Sequence, residues 1–363
     1  MIPRDILALE TLGYSPHWQA LFEPLVEQGL TPARVIRSDR GSLLIATPAG
    51  IARAQLSARL FKTVRGSAGM PAVGDWVAVL TGDDPDAMLI EAVLERTSAI
   101  TRGDPGRASE VQVLAANIDT VFVVHPIAAP PNLRRIEREL SLAWDSGAVP
   151  VVVLTKADLS LSVGEARSAV ESIALDVDVL VTNALSGDSA ELLLTYITGH
   201  RTAVLVGPSG AGKSTLINGL LGEQRQATRE VRVGDGKGRH TTVARELIQM
   251  PHGGVLIDTP GIRALGMTGS EEGIASVFPD IELFSRGCRF RDCAHNDEPG
   301  CAVRAAVESG ELSPERLASY HKLLSEAQDV AAKTDARRRA AEGRKSKGSG
   351  RAARDYHKRT GQD

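Results

Sequence analysis

The segment 207–214, GPSGAGKS, fits the pattern G-x-x-x-x-G-K-[ST] at every fixed position. An apolar run precedes the segment and a helical pattern follows it, which is the strand–loop–helix setting of a phosphate-binding loop. The segment 155–158, TKAD, ends a separate apolar run and matches the base-reading end of a GTP site. In an ordinary GTP-binding domain the phosphate loop comes first, whereas in this chain it follows the base-reading segment. This reversed order constrains the fold more than any other feature of the sequence.

Apolar strand patterns alternate with amphipathic helical patterns from Asn117 to about Gly261. Apolar runs of this kind are typical of parallel strands that are buried on both faces. We therefore predict a doubly wound α/β sheet with its ligand groups at the carboxyl ends of the strands. Such a sheet accepts the reversed order if the original termini are joined and the chain is cut elsewhere. The fold class predicted for residues 113–270 is a circularly permuted P-loop GTPase domain.

The glycines of the phosphate loop allow backbone N–H groups to wrap around phosphate oxygens, and the N-terminus of the following helix adds partial positive charge. Lys213 would reach the β- and γ-phosphates, and Ser214 would hold Mg²⁺. The predicted phosphate contacts are Gly207, Pro208, Ser209, Gly210, Ala211, Gly212, Lys213, Ser214, Thr215 and, after a later strand, Gly261.

The TKAD segment predicts the contacts to the base. The carboxylate of Asp158 can accept hydrogen bonds from N1–H and N2–H₂ of guanine, a pair of donors that adenine does not offer. Lys156 can lie along the purine face. The N–H of Ala184, in the segment TNALSG, can meet guanine O6. The predicted guanine contacts are Thr155, Lys156, Asp158, Asn183 and Ala184. Thr155 stands where Asn is usual, so we expect weaker base binding with the choice of guanine retained.

The segment 258–261, DTPG, follows an apolar strand pattern and begins about 45 residues after the loop lysine. Its aspartate can bind Mg²⁺ through water, and its glycine N–H can sense the γ-phosphate. The polar segment 224–242 is typical of a mobile switch loop. Ile262 stands where small GTPases place a water-orienting glutamine, so His240 is the candidate to position water, with an ordinary loop histidine as the alternative. The predicted Mg²⁺ contacts are Ser214, Thr242 and Asp258.

Three cysteines and one histidine lie in one short segment, with the spacing Cys288-x₄-Cys293-x-His295-x₅-Cys301. Three sulfur atoms and one imidazole form the ligand set of tetrahedral structural zinc. The spacing is not that of a common zinc finger, so the prediction depends on the ligand set, and free buried cysteines are the alternative. Because a four-ligand site has no open position, we predict one structural Zn²⁺.

Five short strand patterns, punctuated by Gly, Pro and Asp, occupy the region from about 33 to 100. They predict a small β-barrel at 31–112. Seven basic residues and one acidic residue in 31–66 favour an oligonucleotide-binding barrel, with an ordinary solvated surface as the alternative. The basic residues are Arg34, Arg37, Arg40, Arg53, Arg59, Lys62 and Arg65.

Three further regions complete the predicted organisation. They are a helical lead-in at 1–30, a helical zinc-binding domain at 271–332, and a basic tail at 333–363. The tail carries eleven basic and four acidic residues, so we expect it to order on a partner. The formal net charge of −3 predicts no nucleic-acid partner by itself, but two basic ends favour a polyanion that is contacted from two sides.

Sequence features also bear on the compartment. The first residues contain no apolar secretory core, and no apolar run is long enough to span a bilayer. An odd, clustered trio of cysteines is a poor disulfide framework. We therefore expect a cytoplasmic protein with no membrane partner. We also expect it to be a monomer.

Taken together, these motifs resemble the RsgA (YjeQ) family of circularly permuted, ribosome-dependent GTPases of bacteria. The resemblance covers nearly the whole chain and depends on TKAD before GPSGAGKST, on GRHTT, on DTPG and on the Cys-x₄-Cys-x-His-x₅-Cys segment. It implies an oligonucleotide-binding barrel, a central GTPase domain and a C-terminal zinc domain. It also implies docking on the small ribosomal subunit and its rRNA during late maturation, hydrolysis of GTP to GDP stimulated by that subunit, and release afterwards.

The resemblance further implies that the histidine of GRHTT, His240, assists hydrolysis. Two residues depart from the family pattern, Thr155 in place of Asn and Asn183 in place of the more usual Ser. Two other functions stay open at this point: a P-loop ATPase or small-molecule kinase, and an RNA-binding scaffold that holds nucleotide structurally. TKAD argues against the first, and partner-stimulated turnover would exclude the second.

Overall fold

The computed structural model describes residues 9–39, 42–64, 67–80, 88–103, 111–183, 188–222, 245–251, 253–258 and 270–332. The described chain begins with a short 3₁₀ helix, Leu9–Leu12, and helix α1, Pro16–Val26. Among the described helices, none is both long enough and apolar enough to cross a bilayer.

Five strands near the N-terminus form a closed barrel. They are β1 (Thr31–Asp39), β2 (Ser42–Thr47), β3 (Gly50–Leu56), β4 (Trp76–Leu80) and β5 (Met88–Val93), with helix α2 (Ala58–Thr63) after β3. The ring runs β1-β2-β3-β5-β4 and closes because β4 also pairs with β1. Strand β3 shows the alternation that builds it: Ala52 and Ala54 are buried, whereas Arg53 and Gln55 are exposed. This is the oligonucleotide-binding type of five-stranded barrel.

A two-stranded ribbon, β6 (Ala99–Gly103) and β7 (Val111–Ala116), connects the barrel to the next domain. The sequence patterns did not separate this ribbon from the barrel. Its strands pair only with each other among the described residues, with Arg102 opposite Gln112.

The central domain is a six-stranded part of the main sheet with the order β10-β9-β8-β11-β13-β12. The strands are β8 (Thr120–Pro126), β9 (Val149–Thr155), β10 (Asp178–Val181), β11 (Thr202–Val206), β12 (Arg245–Gln249) and β13 (Val255–Asp258). All neighbours in it are parallel except β12, which is antiparallel to β13. Parallel pairing places the ends of β9, β10, β11 and β13 at one edge, where the predicted ligand segments begin.

Helices cover both faces of this sheet. They are α3 (Leu133–Asp145), α4 (Val163–Glu171), α5 (Asp188–Ile197) and α6 (Lys213–Leu221). Helix α3 begins where the Asn132 side chain accepts a hydrogen bond from the backbone N–H of Arg135. It buries Ile136, Leu140 and Ala143, whose spacing of four and three residues forms one helical face.

The barrel and the central domain share one continuous sheet of eleven strands, because β1 also pairs with β12. Arg34 on β1 reinforces this junction. It is 1% exposed, donates to Thr202 Oγ1 on β11 at 2.8 Å and to the carbonyls of Gly74 and Leu12. Its guanidinium also lies 5.1 Å from the centre of the Trp76 ring. The prediction that Arg34 belongs to an exposed basic patch was therefore wrong. Arg34 is buried, and its hydrogen bonds connect the barrel to the central domain.

The C-terminal region is helical and packs on α3. Its helices are α7 (Glu271–Val277), α8 (Pro279–Ser285), α9 (Ala302–Ser309) and α10 (314–332). Gly273 on α7 approaches α3 so closely that a Cβ there would lie 2.6 Å from the Ser141 carbonyl oxygen. Arg316 on α10 is buried and forms an ion pair with Glu137 on α3 at 2.7 Å. These contacts attach the C-terminal helices to the central domain.

Candidate nucleotide-binding site and metal centre

The phosphate-binding segment leaves β11 and enters α6 through a loop of left-handed glycines. Gly207, Gly210 and Gly212 have φ values of 137°, 76° and 95°, a region that side-chain-bearing residues rarely adopt. A Cβ on Gly207 would also lie 2.2 Å from the Val124 carbonyl oxygen of the neighbouring strand β8. The glycine pattern in the sequence is therefore required both by backbone conformation and by close packing.

The loop lysine contacts the loop itself. The Nζ of Lys213 donates to the carbonyl oxygens of Gly207 at 2.8 Å and Pro208 at 2.7 Å. Lys213 is the first residue of α6, and Ser214 and Thr215 follow it in the first turn, half-buried. Ser209 and Gly210 are exposed at the tip of the loop. The arrangement presents an ammonium group and a helix N-terminus at one place, which is the chemistry that binds phosphate.

Thr155 joins the base-reading segment to the phosphate loop. Its side chain is fully buried, and its Oγ1 donates to the carbonyl oxygen of Ala211 at 2.5 Å. The same oxygen lies 3.4 Å from the carbonyl oxygen of His125 on β8. The threonine that stands where asparagine is usual thus forms a hydrogen bond that fixes the two ligand segments relative to each other.

Lys156 and Asp158 follow directly. Lys156 has a left-handed backbone with φ of 59° and is half-buried, and Asp158 is exposed in the short 3₁₀ helix Ala157–Leu159. On the adjacent strand end, the N–H of Thr182 donates to the Leu154 carbonyl oxygen at 2.7 Å. That bond continues the pairing of β10 with β9 up to Asn183, which is half-buried.

A cluster of three polar side chains, two of them buried, lies at this edge of the sheet, and the sequence patterns did not reveal it. His125 Nε2 lies 2.6 Å from Glu139 Oε2, and Arg135 Nε lies 3.0 Å from Glu139 Oε1. His125 and Glu139 are both almost completely buried. The histidine ends an apolar strand and the glutamate lies within a charged helix, so only their contact in the fold marks them as partners.

Asp258 ends β13, opposite Glu246 on β12, and is half-buried. The other predicted site residues, Ala184, His240, Thr242 and Gly261, lie outside the described residues. The structure therefore brings together the phosphate loop, TKAD, Asn183 and the start of DTPG at one edge of one sheet.

The four predicted metal ligands converge in the C-terminal region. The ligand atoms of Cys288, Cys293, His295 and Cys301 all lie within 4.8 Å of one another. His295 Nδ1 is 3.6 Å from Cys288 Sγ and 3.5 Å from Cys301 Sγ, and the two sulfurs are 3.9 Å apart. A tetrahedral Zn²⁺ with ordinary bond lengths spaces its ligand atoms about 3.6 to 3.8 Å apart. Cys288, His295 and Cys301 therefore have the spacing of a tetrahedral metal site, and Cys293 Sγ lies within 4.8 Å of their ligand atoms.

The loop that carries these ligands is held by its own polar contacts. The carboxylate of Glu298 accepts from the backbone N–H groups of Ala294 at 3.0 Å and Asn296 at 2.8 Å. Burial, followed by the nearby charge of His321, lowers the pKa of His295. A lowered pKa favours the neutral imidazole, which is the form that binds a metal. The Cys₃His group can therefore hold a metal ion.

Known proteins are similar to this chain in both sequence and fold. The sequence profile of the RsgA GTPase family matches residues 93–268. A small ribosomal subunit biogenesis GTPase RsgA from Streptomyces coelicolor is 46% identical over 336 residues, which are 92% of this chain and 90% of that protein. The chain belongs to the RsgA GTPase family. An RsgA from Xanthomonas euvesicatoria is 43% identical over 358 residues, 96% of each chain.

Solved structures share the fold of this chain. The crystal structure of YjeQ from Thermotoga maritima is 25% identical, with a TM-score of 0.62 over 82% of this chain and 99% of that chain. YloQ, described as a circularly permuted GTPase, superposes with a TM-score of 0.60 at 24% identity over 83% of this chain and 96% of that chain. The predictions of the RsgA family, of GTP hydrolase activity and of a circularly permuted GTPase fold with an N-terminal barrel are confirmed. The family that the sequence motifs resemble is the family to which the chain belongs.

Proposed function

We propose that this chain is a GTPase that acts in the late maturation of the small ribosomal subunit, binds rRNA, hydrolyses GTP when the subunit stimulates it, and then dissociates. The observation that carries this proposal is the junction of the TKAD segment with the phosphate loop through Thr155 and Ala211. This junction presents a guanine-reading segment and a phosphate cradle as one unit. The RsgA relatives named above supply the subunit as the partner class.

The proposed nucleotide contacts are those that the motifs predict. Asp158 and Lys156 read the base, together with Asn183 and Ala184, while backbone N–H groups of 207–212 surround the phosphates. Lys213 exchanges the carbonyl groups of its own loop for phosphate oxygens when nucleotide binds. Mg²⁺ bound with GTP neutralises charge on the β- and γ-phosphates, and Ser214, Thr242 and Asp258 would hold it.

Hydrolysis needs a group that orients water. Ile262 cannot do this, and His240 lies in the GRHTT segment beside Thr242. We assign the water-positioning role to His240 and expect the subunit to complete the site. A slow rate for the isolated protein follows from this arrangement.

The metal in the Cys₃His cluster is zinc in this proposal. Three thiolates and one imidazole at tetrahedral spacing suit Zn²⁺, and four protein ligands leave no open position for catalysis. Because the ligands join the loop 288–301 to the start of α9, the ion stabilises the fold of the C-terminal helices.

Ribosomal RNA is contacted through basic residues. Arg53, Arg59 and Lys62 are exposed on the barrel, and the basic segment 333–363 lies outside the described residues. Lys and Arg side chains bind RNA phosphates mainly by charge, which makes the binding sensitive to salt. We further propose that the protein is a monomer and that it acts on ribosomal subunits in the cytoplasm.

The first test is phosphate release from GTP with and without purified small ribosomal subunits. We expect a large increase with subunits. His240→Ala should lower the stimulated rate by about 100-fold or more, the usual contribution of a positioned proton-transfer group, while GDP affinity stays unchanged. Subunits that are active with another GTPase but fail to stimulate this one would contradict the proposal. An unchanged stimulated rate in His240→Ala would exclude the water-positioning role of His240 but would leave the rest of the proposed function in place.

A further inference from the structure

A groove lies where the barrel, the β6–β7 ribbon and strand β12 meet. Its volume is about 540 Å³, within the range of sites that hold small organic ligands. The lining residues come from β1, β2 and β3, from α2, from the connection before β4, and from β7 and β12. They include Ser38, Leu43, Leu56, Phe61, Val113 and Arg245.

Strand register explains why these residues share one surface. Arg245 on β12 lies opposite Ser38 on β1, Ser38 lies opposite Leu43 on β2, and Leu43 lies opposite Ala54 on β3. Directly opposed residues of antiparallel strands place their side chains on the same face. The groove is thus built by the same pairing of β1 with β12 that joins the barrel to the GTPase domain.

One arginine, Arg245, lines the groove, and a second, Arg102 on β6, lies opposite the lining residue Gln112. Burial, and then the charge of Arg102, lower the pKa of Arg245. Arg102 donates to Gln112 Oε1 at 3.3 Å, and its Nε is buried without a hydrogen-bond partner among the described residues. Among the described residues that line the groove none carries a carboxylate, and the ion pairs between described residues include neither Arg102 nor Arg245. A guanidinium group in the lining of a groove fits an anion, such as a phosphate.

Other residues of the lining are apolar or aromatic. Phe61 on α2 is 66% exposed, although large aromatic side chains are usually buried. Leu56 and Val113 provide apolar surface beside it. At the rim, Arg53 donates to Ser42 at 3.2 Å. An exposed ring beside a cationic pocket is the combination with which proteins bind unpaired nucleotides, since the base stacks on the ring and the backbone phosphate meets the arginines.

We propose that this groove binds an unpaired nucleotide of single-stranded RNA, with its base against Phe61 and its phosphate on Arg245. The inference deepens the proposed rRNA-binding function and rests on it. Arg245 begins the strand that follows Thr242 by three residues.

The test is fluorescence anisotropy of the full chain with a labelled oligouridylate of about ten nucleotides, at salt between about 50 and 200 mM. Phe61→Ala should weaken binding by about 5- to 150-fold, the effect of losing one base–aromatic stack. Arg245→Gln should weaken binding and lower the slope of log K against log salt by about 0.7, whereas Arg245→Lys should keep the slope. The matched controls are Leu161→Ala and Arg167→Gln, two exposed residues far from the groove, which should bind within about twofold of the parent chain.

A cross-link identifies the contact independently. An oligonucleotide with 5-iodouridine, irradiated on the protein, should form its adduct on the peptide that contains Phe61. Parent-like affinity of the Phe61 and Arg245 variants, or an adduct confined to other peptides, would overturn the inference, as would a parent chain that does not bind the oligonucleotide. Subunit-stimulated GTP hydrolysis of the parent chain, measured in parallel, tests the proposed function separately, since it can succeed when the groove variants show no effect.

Discussion

Arg316 offers the sharpest test of how the C-terminal helices are attached to the GTPase domain. Its side chain is 5% exposed and lies 2.7 Å from Glu137 on α3 and 3.0 Å from Asp280 on α8. It also donates to the carbonyl oxygens of Val277 and Ile173, and its guanidinium lies 4.2 Å from the centre of the Phe278 ring. One side chain thus contacts both structural units. We expect Arg316→Met to separate them.

The magnitude follows from burial. Removing the arginine leaves the Glu137 carboxylate, 3% exposed, with the Ser319 hydroxyl as a neutral donor. Breaking a buried ion pair from one side costs about 3 to 5 kcal/mol, because the remaining charge is not compensated. Arg138 lies next to Glu137 on α3 and provides a matched control. In its ion pair with Glu326, both side chains are about one-third exposed. Arg138→Met should cost at most about 1 kcal/mol.

Urea unfolding followed by tryptophan fluorescence measures the difference. The free energy of unfolding falls by about 2 kcal/mol per molar urea, so a loss of about 4 kcal/mol of stability lowers the midpoint of unfolding by about 2 M. Adding Glu137→Gln to Arg316→Met should restore part of the stability, because the uncompensated charge is then removed. If Arg316→Met shifts the midpoint no further than Arg138→Met does, the buried pair does not hold the two units together.

Four further predictions concern the sites. Thr155→Val should weaken GDP binding about five- to tenfold in calorimetry, since a buried hydrogen bond to the phosphate loop contributes about 1 kcal/mol, and Thr155→Ser should retain parent affinity. Asp158→Asn should reduce the preference for GTP over ATP in a competition assay, and unchanged selectivity would remove Asp158 from the base site. Gly207→Ala should abolish nucleotide binding because its Cβ meets a backbone carbonyl oxygen, whereas Gly219→Ala, with open space around it, should bind normally. Cys301→Ser should lower the metal content measured by mass spectrometry and the melting temperature, and a parent-like metal content would refute its role as a ligand.

The sequence by itself determined the features that obey local rules. Three positions of the phosphate loop have positive φ, a backbone conformation that favours glycine. The loop therefore leaves a recognisable pattern of glycines in the segment GPSGAGKS. The ligand set of Cys288, Cys293, His295 and Cys301 identified a metal centre because all four lie within one short segment. The order of TKAD and the phosphate loop identified the permutation, since motif order is a property of the chain itself.

Only the tertiary structure decided which charged residues face water and which strands meet. Arg34 and Arg53 look alike in the sequence, yet Arg34 is buried between domains and Arg53 is exposed. The partners Arg316 and Glu137 are 179 residues apart, and the pairing of β1 with β12 joins segments more than 200 residues apart. The physical reason is that burial and register depend on the contacts of the whole fold, whereas a turn or a short ligand loop depends mainly on its own backbone.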